Sequence, residues 1–295
     1  MDLISFFYII IFLFGLTVGS FLNCVIYRLE KNESFLRGRS YCPNCKHKLS
    51  WRDLIPLLSF IELRGKCRYC QEKISWQYPI VETATALLFL IIFNSQFLIS
   101  KQFSWTPSGG LPAGLLFNFL NLFYYWIIVS FLIVIFVYDL KHYIIPDEII
   151  FPVIAMPILY RFFEVLKFIN WYLFRNWKLE IGNFQPLLNS LLSAISASAF
   201  FLVIFLVSRG RWLGFGDVKL AFFMGLFLGF PNILVALFSA FFSGAIIGIG
   251  LILTKKKTLK SEVPFGPFLV AGTFIALFFG NQIINWYLNI FQIAF

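Results

Sequence analysis

Long apolar segments recur along the whole chain and are separated by short polar ones. A membrane-spanning helix needs roughly 20 predominantly apolar residues, and 60% of these 295 residues are hydrophobic, against roughly 45–50% in an ordinary globular protein. Eight segments have this character, although the sixth is short for a full crossing: residues 3–25, 78–99, 114–138, 146–159, 187–207, 218–229, 233–253 and 268–287. The sequence therefore predicts an all-α integral membrane protein with about eight transmembrane helices.

The segment 28–77 is the longest polar stretch, with eleven Lys or Arg against five Asp or Glu. Basic loops stay preferentially in the cytoplasm, so this segment is predicted to be cytoplasmic and the N-terminus to lie outside. The first apolar segment lacks a basic n-region and a small-residue cleavage site, which predicts a retained helix and not a removed signal peptide. We expect three parts: a first transmembrane helix (1–27), a cytoplasmic loop domain (28–77) and a larger transmembrane domain (78–295).

The other loops fit this topology. Residues 102–112 are nearly free of charge, which suits the outer face, and the amphipathic, aromatic segment 161–186 is predicted to lie along the outer interface. Arg209, Arg211 and the lysines between 255 and 260 indicate the cytoplasmic side. Because most of the net charge of +10 lies in loops beside apolar segments, the predicted partner is a lipid bilayer and not nucleic acid.

Two CxxC motifs lie in the cytoplasmic segment, at Cys42 and Cys45 and at Cys67 and Cys70, with 21 residues between them. In a reducing compartment four thiolates at this spacing are typical of a tetrahedral structural zinc site. The metal would fold a loop that is too short and too polar to build a core of its own. The alternative is four reduced thiols without a metal. Cys24, beside the first apolar segment, is interpreted as a small apolar filler.

Two aspartates stand at the ends of apolar segments, and the predicted topology places both at the cytoplasmic face. Asp139 follows the third segment, and Asp217 precedes the sixth within the motif GFGDVK at 214–219. A carboxylate costs about 2.5–3.5 kcal/mol at the centre of a membrane helix, so its presence near lipid suggests a function. Two adjacent carboxyl groups share a proton: one acts as a base on water, and the other polarises a scissile carbonyl. The pattern predicts an aspartic protease with Asp139 and Asp217 as its catalytic dyad.

The glycines at 214 and 216 are expected to let the backbone turn sharply and another group approach closely. Asp217 would lie at a helix N-terminus and Asp139 at a helix C-terminus, so we hypothesise that Asp217 is ionised and Asp139 holds the proton. The alternative for either residue is a helix-end carboxylate at a wet interface. Asp147, which follows Pro146, is interpreted as mainly a helix-start residue. Lys219 either extends toward lipid headgroups or is a solvated helix end.

These stretches together resemble the bacterial type IV prepilin peptidases, also called leader peptidase/N-methyltransferases. The resemblance covers nearly the whole chain. The GxGD motif alone is also similar to presenilin-type proteases, so the ordered set of motifs carries the resemblance. That set comprises GSFLN (19–23), YRL (27–29), CPNC (42–45), IPLLS (55–59), RGKCRYC (64–70), YPIVE (78–82), Asp139 with IPD (145–147), GFGDVK (214–219) and PFGPF (264–268).

The resemblance implies two activities in the bacterial cytoplasmic (inner) membrane. The first is removal of a short basic leader from type IV prepilins and type II secretion pseudopilins, after a glycine and at the cytoplasmic face, by Asp139 and Asp217. The second is methylation of the new N-terminal residue, usually Phe, with S-adenosyl-L-methionine as methyl donor, attributed to the cytoplasmic segment. Gly65 and Glu82 are the candidates for donor binding. Their alternatives are a turn residue in the second cysteine motif and an ion-pair partner near a helix start.

Three other functions are compatible with the sequence. The chain could be a peptidase without methyltransferase activity, a zinc-stabilised transporter that uses intramembrane carboxylates as ion ligands, or an assembly subunit that docks through its cytoplasmic loop. A transporter would place its carboxylates near the bilayer midplane, whereas both aspartates here lie at segment ends. The sequence leaves the oligomeric state open.

Overall fold

The computed structural model describes residues 3–34, 38–95, 113–173, 185–254 and 263–290. The α-helices within these ranges are α1 (Leu3–Glu30), α2 (Leu58–Glu62), α3 (Gln77–Phe93), α4 (Ala113–His142), α5 (Asp147–Leu173), α6 (Gln185–Ser208), α7 (Phe215–Leu228), α8 (Asn232–Leu253) and α9 (Gly266–Ile290). A short 3₁₀ helix, Trp51–Leu54, precedes α2. Over the described ranges the β pairing amounts to two isolated bridges. The predicted all-α class is confirmed.

Five of the described helices are long and apolar enough to cross a membrane: α1, α4, α6, α8 and α9. Helix α3 is apolar but has 17 residues, and α7 has only 14. At 1.5 Å per residue, α7 is about 21 Å long, short of a hydrocarbon core of roughly 30 Å. Each of the eight predicted segments is mainly helical where the structure describes it, but the count of eight spans is not confirmed. The chain is a multi-pass membrane protein.

Some helix boundaries differ from those predicted. Helix α1 continues to Glu30, past the predicted end at residue 25. Helix α5 contains Pro152 and Pro157 and runs to Leu173, so the segment expected along the outer interface begins as a continuation of this helix. The loop 102–112, the remainder of that segment at 174–184 and the lysines at 255–260 lie outside the described residues.

The chain forms two compact units, Met1–Val134 and Ile135–Phe295. In the first unit α1 and α3 pack closely, and glycine at 15 and 19 makes this contact possible. A Cβ atom at either position would overlap the backbone of Ala86 or Glu82. The first part of α4 joins them through Trp126, whose indole stacks on Phe89 with ring centroids 4.8 Å apart and donates a hydrogen bond to the Phe89 carbonyl. The three-part division at residues 27 and 77 stays a prediction.

The second unit is built around α7. This helix contacts α5, α6, α8 and α9, and nine of its 14 residues are buried. A helix that is apolar on all sides belongs in a protein interior. Helix α7 ends at Leu228 and is followed by Gly229, with φ of 67°. The Asn189 side chain of α6 hydrogen-bonds both the amide and the carbonyl of Phe230, at 3.0 and 2.9 Å. The turn therefore keeps its backbone groups paired where α7 stops.

Gly225 should be essential to the contact between α6 and α7. A Cβ atom at this position would fall on the backbone of Ser193 and Ala194, whereas a Cβ atom on Gly248 of α8 would meet nothing within 4 Å beyond the adjacent backbone of its own helix. Overpacking a close contact costs about 1–3 kcal/mol, so Gly225→Ala should lower the thermal unfolding midpoint of the detergent-purified protein. Gly248→Ala is the matched control and should be neutral or stabilising, because alanine favours a helix by roughly 0.8–1.0 kcal/mol over glycine. Equal midpoints for the two variants would contradict the close packing.

Candidate active site and metal centre

Asp139 and Asp217 come together in the second unit. Asp139 lies in the last turn of α4, and Asp217 is the third residue of α7, in its first turn. Their exposed fractions are only 4% and 8%, and they lie close enough for their charges to interact. The structure thus brings together the two aspartates that the sequence singled out.

Each carboxyl group is supported by a backbone amide. The Gly214 amide donates a hydrogen bond of 3.2 Å to Oδ2 of Asp217, and the Gly266 backbone is hydrogen-bonded to Asp139. The Gly214 contact is the cap of α7, so Asp217 also has the helix-start role considered as its alternative. Capping does not require a second buried carboxyl group, and two like charges at short range oppose each other's ionisation. The pair is unfavourable for stability, which is typical of a functional site.

The glycines beside the aspartates allow other residues to pack close to the backbone. Gly214 has an extended backbone, with φ of −77° and ψ of 152°, and the residues with positive φ lie earlier, at Arg209 and Gly210. Gly214 therefore does not adopt a backbone conformation that requires glycine. The expected close approach is confirmed, because a Cβ atom on Gly216 would lie 3.0 Å from Cβ of Ile145.

Gly266 is a site residue that the sequence did not identify. A Cβ atom there would lie 2.5 Å from Oδ2 of Asp139 and 3.4 Å from Cδ1 of Ile145. Any side chain at 266 would thus displace the Asp139 carboxyl group. The motif PFGPF at 264–268 carried part of the family resemblance, but no pattern within it indicates contact with the end of α4.

Asp147 is separate from the buried pair. It is the first residue of α5, in agreement with its predicted helix-start role, and its side chain is 59% exposed. It forms an ion pair with Lys219 of α7, whose ammonium group also lies 4.9 Å and 5.3 Å from the ring centroids of Phe151 and Phe215. Lys219 is held by α5, which neither interpretation of this residue had anticipated.

The four cysteines of the CxxC motifs converge in the first unit, with all their Sγ atoms within 4.8 Å of one another. In a regular tetrahedron with zinc–sulfur bonds of about 2.3 Å, the sulfur atoms lie about 3.8 Å apart. The Sγ atoms of Cys42 and Cys70 lie 3.9 Å apart. The donor set therefore fits a structural zinc ion, with four protein ligands and no open coordination position.

The two cysteine turns have the same backbone construction. The amide of Cys42 donates to the His47 carbonyl at 3.0 Å, and the amide of Cys67 donates to the Glu72 carbonyl at 2.8 Å. The residues after the second cysteines, Lys46 and Gln71, both have left-handed φ values, 59° and 60°. Backbone hydrogen bonds thus direct each pair of thiols toward the other pair.

Asp53 joins the 3₁₀ helix to the second cysteine turn. Its carboxylate accepts hydrogen bonds from Arg68 at 2.8 Å, from the Ser50 hydroxyl at 2.8 Å and from Tyr69 at 3.0 Å. Burial acts to raise the pKa of Asp53, but these hydrogen bonds outweigh it and lower the pKa to about 2. The carboxylate stays ionised at neutral pH and holds the segment between the two motifs in place.

The two candidate donor-binding residues have defined structural roles. Gly65 lies in the turn after α2 with φ of 68°, and its carbonyl accepts a 2.7 Å hydrogen bond from the Ile74 amide, as expected of a turn residue. Glu82 is 6% exposed, accepts a 2.9 Å hydrogen bond from the Leu57 amide and is hydrogen-bonded to Ser20. Its described partners are thus an amide and a hydroxyl, and not the basic side chain that the alternative required.

Comparison with known proteins identifies the family. Residues 126–249 match the profile of the type IV leader peptidase family, and residues 13–96 match the bacterial peptidase A24 N-terminal domain. A prepilin leader peptidase/N-methyltransferase of Bacillus subtilis (strain 168) is 30% identical, over 95% of this chain and 97% of that protein. This chain belongs to the type IV leader peptidase family.

Two further relatives have the same name as the Bacillus subtilis protein. The one from Legionella pneumophila is 30% identical, over 96% of this chain and 95% of that protein. The one from Aeromonas salmonicida (strain A449) is 29% identical, over 95% of this chain and 93% of that protein. No solved structure matched significantly.

In this family the two profiles divide the candidate residues between them. The A24 N-terminal domain match contains the four cysteines together with Gly65 and Glu82, and the leader peptidase match contains Asp139 and Asp217. The predicted family resemblance is confirmed. The roles of the individual residues remain predictions, which the experiments below address.

Zinc content tests the metal centre. Replacing Cys42 or Cys67 with serine removes one thiolate from a four-ligand site, so each variant should lose most of its zinc when purified, as measured by elemental mass spectrometry. Cys24→Ser is the matched control, because Cys24 is outside the cluster, and it should retain one zinc ion per chain. Equal zinc content in all three variants would contradict the tetrahedral site.

Removing the Asp53 charge should loosen the cysteine segment. Hydrogen bonds to a buried charge contribute roughly 1.5–3 kcal/mol, so Asp53→Asn should raise amide exchange in residues 50–54 and 66–70 at pH 7. Glu62→Gln is the matched control, since Glu62 also pairs with Arg68 but its side chain is 64% exposed; exposed pairs contribute only about 0–1 kcal/mol.

The pH dependence of this effect has a definite sign. Folding lowers the pKa of Asp53 from 3.8 to about 2, so its stabilising contribution is complete above about pH 4 and is lost as pH falls toward 2. The difference in exchange between wild type and Asp53→Asn should therefore shrink over that range. A difference that grew on acidification would contradict this role for Asp53.

Proposed function

We propose that this protein is a membrane aspartic endopeptidase that removes the leader from type IV prepilins and type II secretion pseudopilins. It then N-methylates the new N-terminal residue, usually Phe. The observation that carries the proposal is the buried pair Asp139 and Asp217, in a chain whose relatives are named prepilin leader peptidase/N-methyltransferase.

Two adjacent carboxyl groups can carry out peptide hydrolysis between them. The ionised carboxylate takes a proton from water, whose oxygen attacks the scissile carbonyl carbon, while the protonated carboxyl group donates a hydrogen bond to the carbonyl oxygen. The tetrahedral intermediate then breaks its carbon–nitrogen bond, and the leaving amine takes up a proton. The α7 dipole favours ionisation of Asp217, whereas burial and the nearby Asp139 oppose it, so we propose that one proton is shared between the two groups. The two groups titrate as a pair.

The environment suits a prepilin as substrate. The N-terminal part of a prepilin is an apolar helix behind a basic leader, so the helix can lie in the bilayer while the leader stays in the cytoplasm. We place the active site at the cytoplasmic face of the bacterial inner membrane, with the N-terminus of the enzyme outside. The charge distribution of the loops supports this orientation, and the position of both aspartates at helix ends favours a peptidase over a transporter.

The second reaction needs a methyl donor, for which we propose S-adenosyl-L-methionine. The new terminal amine forms a bond to the donor's methyl carbon as the carbon–sulfur bond breaks; the electron pair stays on sulfur, and the amine gives up one proton. We assign this reaction to the cytoplasmic segment 28–77 with its neighbours, and the peptidase to the transmembrane part of 78–295. In this assignment zinc bound by the four cysteines is structural and takes no part in either reaction.

Mass spectrometry of a prepilin incubated with the purified enzyme and S-adenosylmethionine tests the proposal. Wild type should remove the leader and add one methyl group to the product. Asp139→Asn and Asp217→Asn should each lower the cleavage rate by at least about 10²–10⁴-fold, the range typical of a lost acid or base. Glu148→Gln, an exposed acidic residue of α5, is the matched control and should cleave at the wild-type rate.

The possible outcomes separate the candidate functions. Cleavage at the wild-type rate by both Asn variants would overturn the dyad. Cleavage without methylation by wild type would leave a peptidase alone. The absence of both reactions from wild type would favour a transporter or a docking subunit.

A further inference from the structure

A cavity of about 420 Å³ lies in the first unit, between α1 and the cytoplasmic segment. This volume is within the range of roughly 300–1,000 Å³ that small-molecule sites occupy. One face of α1 forms a wall, and the opposite wall comes from the segment around the first cysteine motif and the 3₁₀ helix. The residues that line the cavity include Ser20, Cys24, Arg28, Ser40, Leu54 and Pro56.

The cavity extends along α1, and the chemical groups that line it differ from one end to the other. Its α1 wall runs from Thr17 to Arg28, eleven residues apart, or about 16 Å at 1.5 Å per residue. Phe21, whose side chain is 51% exposed, lines the same wall. The cavity thus offers an aromatic surface, hydroxyl groups and, at one end, a guanidinium group.

Arg28 is held in a fixed position at that end. Its side chain is 5% exposed, and its guanidinium donates hydrogen bonds to the carbonyls of Ser34 at 2.9 Å and Arg39 at 3.3 Å. Gly38 lies against it with φ of 102°, and a Cβ atom there would come within 3.4 Å of Nη2. A fixed guanidinium group with little access to water is a strong recognition element for a carboxylate.

Glu82 ties the two walls of the cavity together. Its carboxyl group is hydrogen-bonded to Ser20 on the α1 wall and to the amide of Leu57, the residue after Pro56 on the opposite wall. Leu57 has φ of 57° and ψ of −48°, a conformation that costs a non-glycine residue about 1–3 kcal/mol. Leu57 therefore has a strained backbone, and the buried Glu82 fixes it beside the cavity. Strain of this kind is more typical of a functional site than of ordinary packing.

We propose that this cavity is the binding site for S-adenosylmethionine, an inference that rests on the proposed methyl transfer. Arg28 pairs with the carboxylate of the donor, and the acidic Glu82 behind Ser20 favours its positively charged sulfonium group. Glu82 is a positioning residue, since it acts through Ser20 and Leu57. The peptidase dyad belongs to the second unit, so each unit carries one of the two reactions.

Cys24 allows a direct test in the wild-type protein. It lines the cavity and lies outside the zinc cluster, so its alkylation can be followed by peptide mass spectrometry in zinc-loaded, full-length enzyme. Saturating S-adenosylhomocysteine, the unreactive product, should slow alkylation of Cys24 at least tenfold, and adenosine triphosphate, the control adenine compound, should not. Unchanged Cys24 alkylation would overturn the proposal.

A matched pair of variants tests the same cavity independently. Cys24→Leu adds side-chain volume and should weaken binding of radiolabelled S-adenosylmethionine at least tenfold in equilibrium dialysis, while Leu13→Ala, an exposed position of α1 outside the cavity lining, should bind as wild type does. Cys24→Leu should also keep leader cleavage and its zinc, which shows that it is folded, but lose methylation. Wild-type binding and methylation by Cys24→Leu would overturn the site. If the protein is not a methyltransferase at all, the result differs from failure of this site alone: wild type itself would neither bind the donor nor methylate the product.

Discussion

The burial of two carboxyl groups side by side is the constraint on which the second unit depends. Asp139 and Asp217 oppose each other's ionisation, and both are withdrawn from water. Such an arrangement persists only when the surrounding structure fixes it. The Gly214 and Gly266 backbones supply hydrogen bonds to the two groups, and α7 is enclosed by neighbouring helices that hold Asp217 in position. The enclosure in turn needs glycine at 225, where α6 and α7 come within backbone contact.

Much of this arrangement could be predicted from local sequence patterns. The apolar segments correctly predict helices, and the position of Asp217 before a short apolar run correctly places it in the first turn of α7. The predicted number of spans is not confirmed, because α5 combines charged residues with Pro152 and Pro157 and α7 has only 14 residues. Glycine at 214 permits an unusual backbone conformation without requiring one, and the backbone there is extended.

The contacts that complete both sites join residues far apart in sequence. Gly266 reaches Asp139, and Glu82 fixes Leu57; no periodicity or spacing links the members of either pair. The cysteine cluster was predictable for the opposite reason, because each CxxC turn is local and the chemistry of zinc restricts how two such turns combine. Sequence patterns therefore identified the buried aspartates and the four cysteines that converge, but not the neutral residues that position them.

A double-mutant cycle on single-turnover leader cleavage tests most directly whether Asp139 and Asp217 act as one catalytic unit. The rates to compare are those of wild type, Asp139→Asn, Asp217→Asn and the double variant, with zinc content confirming that each is folded. When two groups act together in one reaction, removing the second group after the first causes little further loss of rate. The double variant should therefore be no slower than the slower single variant. If the two losses instead multiply, the aspartates act independently, and the shared-proton dyad is contradicted.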